Sequence, residues 1–579
     1  MRSTSGGDCW GRCVDAGDEC VAVSDGGAGS GYRVTRRAEL EDVARRVFGW
    51  KTLRAEQLDA MEALVARRDV LALMPTGAGK SAIYQVAAVL IDGATLVISP
   101  LIALQRDQID HIVAAHGPAA VAINSRQRQA LTSRSWEAVR RHEAEYIFLS
   151  PEQLSKDDVV SRLAESNVSL IVVDEAHCVS TWGHDFRPDY LRLADAFDRL
   201  GRPPVAALTA TASPLVRREI IERLGLRDLV VIASGFDRPN LRLEVEHHVS
   251  DAEKRDAVVS TVAEMVGPVL VYTATRKDAE SYTDALARRG RSAAAYHGGM
   301  RAAQRDEIHR RFRDDEYEMI TATSAFGMGI DKPNIRAVVH ASVPDSLDSY
   351  YQQVGRAGRD GEAALALLFY RPEDLSLARF FTAHHPDEEL LHRVYSALSA
   401  DRPKRLKDLR TELGVRGRRL TTAVNLLDQA GAVTSSRKGF AASGEPEATA
   451  VGRAVDVVET SERVDRTRVE MLRGYAETRE CRRQILLAYF GETLPEPCGN
   501  CDRCRDNQIG EASAHEQRPA IPVNTTVEHR EWGPGVVIGG TADTVTVLFE
   551  KYGYRTLSMK VIRETGVLRQ TRGENVSNA

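Results

Sequence analysis

Residues 70–81, with the sequence VLALMPTGAGKS, place a short apolar run directly before a glycine-rich turn and a helix-length segment. Backbone N–H groups at the start of such a helix converge on one point and bind phosphate oxygens. Lys80 would neutralise the β- and γ-phosphates of a nucleotide, and Ser81 would hold a magnesium ion. An incidental glycine turn is the alternative, because Met74 stands where the pattern usually has glycine. The residues expected to contact the nucleotide here are Thr76, Gly77, Gly79, Lys80 and Ser81.

A second apolar run, Leu170–Val173, ends in the acidic pair Asp174-Glu175. In open α/β sheets, side chains at the carboxyl ends of parallel strands line the ligand-binding crevice. Asp174 can therefore coordinate the same magnesium ion as Ser81, while Glu175 accepts a proton from the attacking water. The alternative, a solvated strand end, is disfavoured by the order and spacing of this pair relative to the phosphate loop.

Apolar runs of this kind alternate with amphipathic helix-length segments over residues 69–370. Such alternation predicts parallel sheets covered by helices. The polar segment Gly235–Asn240 separates two sets of runs, which predicts two α/β lobes in tandem. The runs of the first lobe are Val70–Leu73, Thr95–Ser99, Tyr146–Leu149, Leu170–Val173 and Val205–Leu208. Those of the second lobe are Leu241–Glu246, Val269–Tyr272, Ala293–Tyr296, Met319–Ala322, Ala337–His340 and Ala364–Tyr370.

Gly355–Gly361, with the sequence GRAGRDG, places Arg356 and Arg359 among small residues of the second lobe. Phosphoryl transfer needs positive charge opposite the γ-phosphate, and arginine supplies it in many nucleotide hydrolases. If these arginines serve the phosphate loop, the nucleotide lies between the lobes and its hydrolysis changes how tightly they close. The alternative is an arginine loop paired with surface acids.

Four of the eight cysteines lie close together near the end of the chain. Four thiolates can complete a tetrahedral zinc shell that leaves no open position for chemistry. An iron–sulfur cluster is the alternative, because thiolates also hold such clusters. The cluster has the spacing Cys481-x16-Cys498-x2-Cys501-x2-Cys504, with the first cysteine expected on a helix. The cysteines near the start, expected to be free thiols, are Cys9, Cys13 and Cys20.

The 579-residue chain is 43% hydrophobic and 27% charged, with a formal net charge of −5. Those proportions are typical of a water-soluble globular protein, and the sequence has no apolar run of the roughly 20 residues that a membrane span needs. The first residues also lack the apolar core of a secretory signal, so we expect a cytoplasmic protein with an unfolded tail over residues 1–33. Any contact with nucleic acid must come from local basic clusters.

One such cluster is Arg402–Gly439, where short helical segments precede a strand pair expected to turn at Ser435–Gly439. This pattern predicts a small winged-helix-like unit that grips duplex DNA, although a solvated basic surface explains it equally well. Further on, Val527–Leu568 alternates like a small β-barrel with turns at Gly533–Gly535 and Gly539–Thr541.

These motifs resemble superfamily 2 helicases and, in finer detail, the RecQ family. Leu53–Gln57 follows Trp50 in a pattern similar to that family's adenine-recognition motif. The resemblance implies that Trp50 stacks on the base while Arg54 and Gln57 contact the nucleotide. A glutamine amide can both donate to and accept from the edge of adenine. For Trp50 alone, core packing is the alternative.

The segment Asp174–Tyr190, with the sequence DEAHCVSTWGHDFRPDY, resembles the RecQ acidic box and its aromatic-rich loop. In that family the loop senses single-stranded DNA, and aromatic and arginine side chains suit stacking on bases. A purely structural loop is the alternative. The likeness extends over Phe48–Cys504, with departures at Asp331 and Gln353, where the family usually has asparagine and an acid. The residues implied to contact DNA are Trp182, His184, Phe186 and Arg187.

The resemblance implies an ATP-dependent DNA helicase, using ATP, Mg²⁺ and Zn²⁺, that moves 3′ to 5′ on single-stranded and forked DNA in repair or recombination. It implies a place in the bacterial cytoplasm or nucleoid. A translocase that remodels or anneals DNA without separating strands is one alternative. A DNA-docking protein with incidental ATPase activity is another, and RNA is a weaker alternative substrate.

The end segment Val527–Val537 resembles the Tudor-like module of the UvrD and PcrA helicases, which implies docking to RNA polymerase or another protein. No winged helix follows the cysteines, so the usual strand-separating hairpin is in doubt. The fold class expected is α/β, with two tandem RecA-like lobes followed by three smaller units. The predicted parts are the first lobe (34–235), the second lobe (236–375), the basic unit (376–450), the zinc-binding domain (451–507), a linker (508–522) and the C-terminal β unit (523–570).

Overall fold

Two parallel β-sheets flanked by helices form the first two thirds of the chain, which confirms the predicted fold class. Every helix in the described ranges is too short or too polar to span a membrane. The computed structural model describes residues 30–124, 127, 129–180, 189–190, 193–327, 332–382, 386–415, 418–436, 439–506, 520–523 and 525–571. The predicted linker lies mostly outside these ranges, as do the three cysteines near the start.

The sheet of the first lobe has seven strands, all parallel. They are β1 (Val70–Leu73), β2 (Ala94–Ile98), β3 (Ala120–Ile123), β4 (Tyr146–Leu149), β5 (Val168–Val173), β6 (Val205–Thr209) and β7 (Val230–Ala233). Their order is β3-β4-β2-β5-β6-β1-β7. The central strands are buried on both faces, which explains their continuous valine, isoleucine and leucine content. The edge strands β3 and β7 are half-buried and were not predicted.

Helices cover both faces of this sheet, and α3 begins at Lys80 directly after the phosphate loop. The first helix begins at Ser30, inside the stretch predicted as an unfolded tail, and helix ends commonly shift by a few residues in this way. The helices are α1 (Ser30–Phe48), α2 (Ala55–Val65), α3 (Lys80–Val89), α4 (Ile102–Ala114), α5 (Gln129–Arg140), α6 (Pro151–Leu154), α7 (Asp157–Ala164), α8 (Leu193–Arg199) and α9 (Pro214–Arg223).

The sheet of the second lobe has six parallel strands. They are β8 (Leu241–His247), β9 (Val269–Tyr272), β10 (Ala293–Tyr296), β11 (Met319–Ala322), β12 (Ala337–His340) and β13 (Ala364–Tyr370). Their order is β10-β11-β9-β12-β13-β8. The helices are α10 (Asp251–Glu264), α11 (Arg276–Arg288), α12 (Ala302–Arg313) and α13 (Leu347–Val354).

A small helical unit with a two-stranded hairpin follows the second lobe, as the winged-helix-like pattern predicted. It has a core of its own, in which Leu391, Leu420 and Val424 are fully buried. Its elements, with the helix that leads into it, are α14 (Leu375–Thr382), α15 (Glu388–Ala397), α16 (Leu406–Leu413), α17 (Arg418–Gln429), β14 (Val433–Ser436) and β15 (Gly439–Ala442).

The last part of the chain contains the cysteine cluster and a five-stranded antiparallel sheet. Its helices are α18 (Glu447–Glu477), α19 (Arg482–Tyr489), α20 (Asp502–Arg505) and α21 (Met559–Thr565). Its strands are β16 (Thr526–His529), β17 (Gly533–Gly540), β18 (Thr544–Phe549), β19 (Gly553–Ser558) and β20 (Leu568–Gln570). Their order in the sheet is β19-β18-β17-β16-β20.

The predicted turn at Gly533–Gly535 is wrong, because these residues lie within β17 and the turn precedes them. Gly535 faces the core of the sheet, and a Cβ atom there would lie 2.7 Å from the Phe549 and Val547 side chains. The glycine therefore serves close packing rather than chain reversal. Similarly, Cys481 lies at the N-cap of α19, one position before the helix on which it was expected.

Candidate active site and metal centre

The phosphate loop connects β1 to α3 through two glycines in the left-handed region. Gly77 has a φ of 81° and Gly79, the N-cap of α3, a φ of 78°. The Lys80 ammonium lies under the loop and donates to the carbonyls of Met74 at 3.1 Å and Pro75 at 3.4 Å. Burial lowers the pKa of Lys80, although nearby Glu175 and Asp174 raise it. The loop thus holds a buried cation at the place where a nucleotide phosphate would bind.

The acidic pair lies at the carboxyl end of β5, on the same edge of the sheet as the phosphate loop. Burial and, to a smaller extent, the adjacent Glu175 carboxylate raise the pKa of Asp174 to about 7, although Lys80 lowers it. Glu175 has a φ of 50°, and its carboxylate lies 3.3 Å from Nδ1 of His177. The same His177 nitrogen lies 3.1 Å from the Thr209 hydroxyl at the end of β6.

The Ser81 hydroxyl and the Asp174 carboxylate both lie near the Tyr84 hydroxyl. Both act on the pKa of Tyr84, which burial and the Asp174 charge raise and the Ser81 hydroxyl lowers. The buried Asp174 carboxylate, with its raised pKa, and the adjacent Glu175 carboxylate form the oxygen-rich, negatively charged surroundings that Mg²⁺ prefers. The donors present therefore fit magnesium, whose charge would keep Asp174 ionised.

The two arginines of the GRAGRDG turn contact different parts of the protein. Arg359 lies against the phosphate loop, since a Cβ atom on Gly77 would be 2.9 Å from Arg359 Cγ. Its charge also lowers the pKa of Lys80. Arg356 is 2% exposed and lies beside the Tyr272 hydroxyl within the second lobe. The structure thus brings Arg359 into contact with the loop of the first lobe, whereas Arg356 is buried beside Tyr272.

Arg238, which the sequence did not single out, spans both lobes. Its guanidinium donates to the carbonyls of Ala357 at 3.0 Å and Gly358 at 2.9 Å in the arginine turn. It also donates to Gly355 at 3.3 Å and to Thr76 of the phosphate loop at 3.5 Å. All four acceptors are backbone carbonyls, which any residue can supply. The sequence therefore contained no indication of these partners beyond the position of Arg238 in the connection between the lobes.

Gln57, one of the residues implied to contact adenine, lies beside the phosphate loop. The Gln57 amide nitrogen donates to the carbonyls of Ala78 at 3.2 Å and Gly79 at 2.9 Å, and its oxygen accepts from the Arg54 N–H at 2.8 Å. Trp50 is half-buried and stacks on Phe48 with ring centroids 4.8 Å apart. The hydrogen-bonding groups of Gln57 are thus engaged with the protein itself in this state.

Gln353, where the family resemblance leads one to expect an acid, hydrogen-bonds His340. Gln353 Oε1 and His340 Nε2 are 2.7 Å apart in the core of the second lobe. Burial lowers the pKa of His340 to about 4, although the hydrogen bond raises it. A neutral amide therefore satisfies a neutral imidazole here, with no buried charge on either side.

The implied DNA-contacting residues Trp182, His184, Phe186 and Arg187 lie outside the described residues, as does Asp331. The structure instead draws attention to a cavity of about 640 Å³ on the second lobe. Its hydroxyl groups and the Arg276 guanidinium are donors that suit phosphate oxygens. The lining residues are Ala274, Thr275, Arg276, Gly298, Thr323, Ser324 and Ala325.

The four late cysteines converge on one point. Their sulfur atoms all lie within 4.8 Å of one another, and all four are free thiols. The sulfur atoms of Cys501 and Cys504 are 3.4 Å apart, and those of Cys498 and Cys504 are 3.8 Å apart. Zinc–thiolate bonds of about 2.3 Å in a tetrahedron place the sulfurs roughly 3.8 Å apart. The geometry therefore fits a closed tetrahedral zinc site.

The cysteine cluster is joined to the connection between the lobes. Arg483 donates to the carbonyls of Leu241 at 2.6 Å and Pro239 at 3.3 Å. Asn500 also donates to Pro239, at 3.3 Å. Arg482 is fully buried and binds Asp502 at 2.6 Å. A metal at the cluster would thus hold the residues that fix the inter-lobe connection.

Three family models match successive parts of the chain. The DEAD/DEAH box helicase model matches residues 54–218, and the helicase conserved C-terminal domain model matches residues 253–361. The RecQ zinc-binding model matches residues 448–505, which include all four clustered cysteines. With the geometry above, these matches give ATP, Mg²⁺ and Zn²⁺ as the cofactors.

Curated relatives extend the similarity beyond single domains. The probable ATP-dependent DNA helicase RecS of Bacillus subtilis is 33% identical over 473 residues, covering 80% of this chain and 91% of RecS. The ATP-dependent DNA helicase RecQ of Haemophilus influenzae is 32% identical over 474 residues, covering 82% of this chain but only 65% of that protein. Among solved structures, the Mycobacterium smegmatis helicase Lhr bound to ssDNA and AMP-PNP has a TM-score of 0.48 at 21% identity, covering 73% of this chain and 62% of Lhr.

The RecS match extends over nearly the whole of that relative, and the zinc-binding model coincides with the thiols that the structure gathers. Both observations point to the same family. The chain belongs to the RecQ family of ATP-dependent DNA helicases.

Proposed function

We propose that this helicase couples ATP hydrolysis in the cleft between its lobes to 3′-to-5′ movement on single-stranded DNA and to unwinding of forked duplexes in repair or recombination. The observation that supports this most directly is the contact of Arg359 with Gly77. It places a second-lobe cation beside the phosphate loop of the first lobe. A nucleotide bound there would touch both lobes, so its cleavage would change their relative position.

Within this site the residues divide the chemistry among them. Lys80 binds the β- and γ-phosphates, while Ser81 and Asp174 hold Mg²⁺. Glu175 accepts a proton from the attacking water, and His177, whose Nδ1 lies 3.3 Å from the Glu175 carboxylate, keeps that carboxylate oriented. Arg359 stabilises the charge that develops on the γ-phosphate.

Arg356 acts one step further from the nucleotide. Buried beside Tyr272, it supports the turn that presents Arg359. At the other end of the site, Gln57 exchanges its bonds with the phosphate loop for bonds to adenine when ATP binds. Trp50 and Arg54 contact the nucleotide on the same side. Base recognition is thereby coupled to the conformation of the phosphate loop.

Two substitutions in the active site test the assignment. Lys80→Ala and Glu175→Gln should abolish DNA-stimulated ATP hydrolysis while DNA binding persists. Lys51→Ala and Glu165→Gln, both at exposed positions, are matched controls that should retain the activity. Unimpaired hydrolysis in either active-site variant would contradict the assignment.

DNA would cross the second lobe along the cavity near Arg276. The hydroxyls of Thr275, Thr323 and Ser324 with the Arg276 guanidinium suit backbone phosphates, which fix position without reading sequence. The loop containing Trp182 and Phe186 would stack on bases. Arg276→Ala should weaken single-strand binding and lower the slope of its salt dependence by the equivalent of about one phosphate. An unchanged slope of the salt dependence would show that the DNA strand does not contact Arg276.

Strand separation and polarity need their own experiments. Forked duplexes and duplexes with either a 3′ or a 5′ single-stranded tail report unwinding and its direction. Robust translocation without unwound product would favour a translocase that remodels or anneals DNA. Comparing the stimulation of ATPase activity by DNA and by RNA tests the remaining substrate alternative.

Docking to RNA polymerase or another protein is proposed for the exposed face of the C-terminal β unit, on the resemblance of Val527–Val537 alone. The unit has its own core, so surface substitutions there should leave its fold intact. Binding of purified RNA polymerase to the full-length protein is the measurement, and no binding at micromolar concentration would reject that partner.

A further inference from the structure

The C-terminal β unit is packed into the motor at the start of β19. The Tyr554 N–H donates to the Thr467 hydroxyl on α18 at 3.1 Å. Gly553 makes this approach possible, because its φ is 68° and a Cβ atom there would lie 2.2 Å from Thr467 Oγ1. Arg463 of α18 adds a hydrogen bond to the Lys551 carbonyl at 3.1 Å. As a result Tyr554 is only 7% exposed.

The Tyr554 hydroxyl begins a buried polar chain that reaches the second lobe. It donates to the Tyr489 hydroxyl at 2.9 Å, and the two rings stack with centroids 5.3 Å apart. The Tyr489 hydroxyl donates in turn to the Asp348 carboxylate. The buried Arg468 guanidinium lies beside all three groups. Because unpaired polar groups are costly in such surroundings, the chain favours a single arrangement.

Asp348 connects this chain to the arginine turn. It lies in the first turn of α13, which ends at Val354 and continues directly into the turn that contains Arg359. A short, buried helix moves as a rigid element. The hydrogen bond from Tyr489 to Asp348 therefore fixes one end of the element whose other end contacts the phosphate loop.

The same Tyr554 hydroxyl faces the first lobe. The side chain of Ser213, the buried N-cap residue of α9, lies close enough to influence the pKa of this hydroxyl. Ser213 follows closely after Thr209 of β6, which contacts His177, the neighbour of the Glu175 carboxylate. Tyr554 thus lies where the polar surroundings of both halves of the hydrolysis site meet.

We propose that Tyr554 is a positioning residue of the ATPase reaction. Its hydroxyl holds Tyr489 against Asp348 and meets Ser213, so that the C-terminal β unit sets the alignment of Arg359 relative to the first lobe. The inference rests on the proposed function, because it concerns how DNA-stimulated hydrolysis in the cleft is organised. It makes the β unit part of the motor, whatever protein its outer face binds.

The test uses the full-length protein with Tyr554→Phe, which keeps the stacked ring and removes the hydroxyl. Tyr489→Phe removes the next hydroxyl of the chain. Tyr552→Phe is the matched control, since Tyr552 is half-buried in the same turn and its ring contacts Trp532 and Arg463. Measured are kcat and KM for ATP with and without single-stranded DNA, nucleotide binding and Tm.

Tyr554→Phe and Tyr489→Phe should each lower the ratio of DNA-stimulated to basal hydrolysis by at least about fivefold, a typical coupling effect, with ATP binding changed less than about twofold. This ratio does not depend on the fraction of folded protein. The double variant should be no worse than either single variant, because both break the same chain. A ratio in Tyr554→Phe equal to that in Tyr552→Phe would overturn the proposal. Absence of DNA-stimulated hydrolysis in the unsubstituted protein would instead reject the proposed function.

Discussion

Arg359 of the second lobe lies directly on Gly77 of the phosphate loop, so closely that a Cβ atom at residue 77 would be 2.9 Å from Arg359 Cγ. No local sequence pattern links these residues, which are separated by most of both lobes. Because of this contact, residues of both lobes form the cleft in which the nucleotide would bind.

Arg359→Ala should reduce kcat for ATP by a factor on the order of 1,000, because a catalytic arginine stabilises charge that develops only in the transition state. Nucleotide binding should change little. Arg356→Ala should instead lower the free energy of unfolding, since Arg356 is buried beside Tyr272. Steady-state kinetics with thermal unfolding separate the two. Exposed Arg310 provides the control substitution, and equal kinetic losses at 356 and 359 would contradict this division.

Arg238→Ala should slow hydrolysis by roughly tenfold or more, because hydrogen bonds from a charged donor contribute about 1.5–3 kcal/mol. Arg238 is the side chain that joins the Thr76 carbonyl to those of Gly355 and Gly358. Its loss should loosen lobe closure without removing a group that contacts phosphate. Arg227→Ala, at an exposed surface pair, is the control for ATPase kinetics. An unchanged kcat in Arg238→Ala would show that other residues hold the two lobes together during hydrolysis.

Zinc should be present at one ion per chain and be lost in Cys501→Ser. Structural zinc sites contribute on the order of 10 kcal/mol of binding free energy to the folded state. Because Arg483 and Asn500 hold the inter-lobe connection, metal loss should lower both Tm and DNA-stimulated ATPase activity. Elemental analysis gives the metal content. Cys9→Ser, a change outside the described residues, should leave zinc bound, and retention of zinc in Cys501→Ser would contradict the ligand assignment.

The second lobe should lose stability in mild acid through His340. Its pKa is lowered to about 4 in the folded state and returns to about 6.5 on unfolding, so the unfolded chain binds more protons between these values. Stability is therefore complete above the unfolded pKa and falls as pH drops below it, by about 2 kcal/mol between pH 7 and pH 5. Urea unfolding at both pH values measures this, with His340→Asn as the variant in which that loss should shrink. An unchanged loss in His340→Asn would assign the acid sensitivity to other groups.

The basic unit offers a test of duplex binding. Arg402, Arg405 and Lys407 are exposed on its surface. If they bind phosphates, replacing all three with alanine should reduce the slope of log K against log salt by about 0.9 for each phosphate that is no longer neutralised. Arg140→Ala/Arg141→Ala, on a helix of the first lobe, is the control. An unchanged slope would identify the patch as a solvated surface.

The sequence predicted the central strands and the charged residues that follow them because both are local. Leu170–Val173 is a continuous apolar run, and the carboxylates follow it directly. The edge strand β3 was missed because it is only half-buried, and its residues Ala120–Ile123 give a weak apolar signal. The residues of the phosphate loop lie together and so do the four cysteines, since their spacing along the chain reflects the geometry of a single loop or cluster, while their roles stay predictions.

Contacts between distant backbone segments left no such signal. Arg238 binds carbonyl groups, and any residue can supply a carbonyl, so its partners could not be chosen from sequence. Likewise the hydrogen bond between Tyr554 and Tyr489 joins two units that seemed independent. The glycine-rich stretch Gly533–Gly535 was misassigned to a turn because close side-chain packing and chain reversal both favour glycine.

The two chain ends of the basic unit lie close together in space. Its first helix, α15, contacts the start of α18 through His392 and Glu447 at 2.7 Å, and the Tyr395 hydroxyl donates to the Glu445 carbonyl at 2.9 Å. A segment with adjoining ends and a separate core can be gained or lost in evolution without moving its neighbours. We therefore expect removal of the whole unit to leave the mutual alignment of the ATP-hydrolysing lobes on one side and the thiolate cluster on the other unchanged.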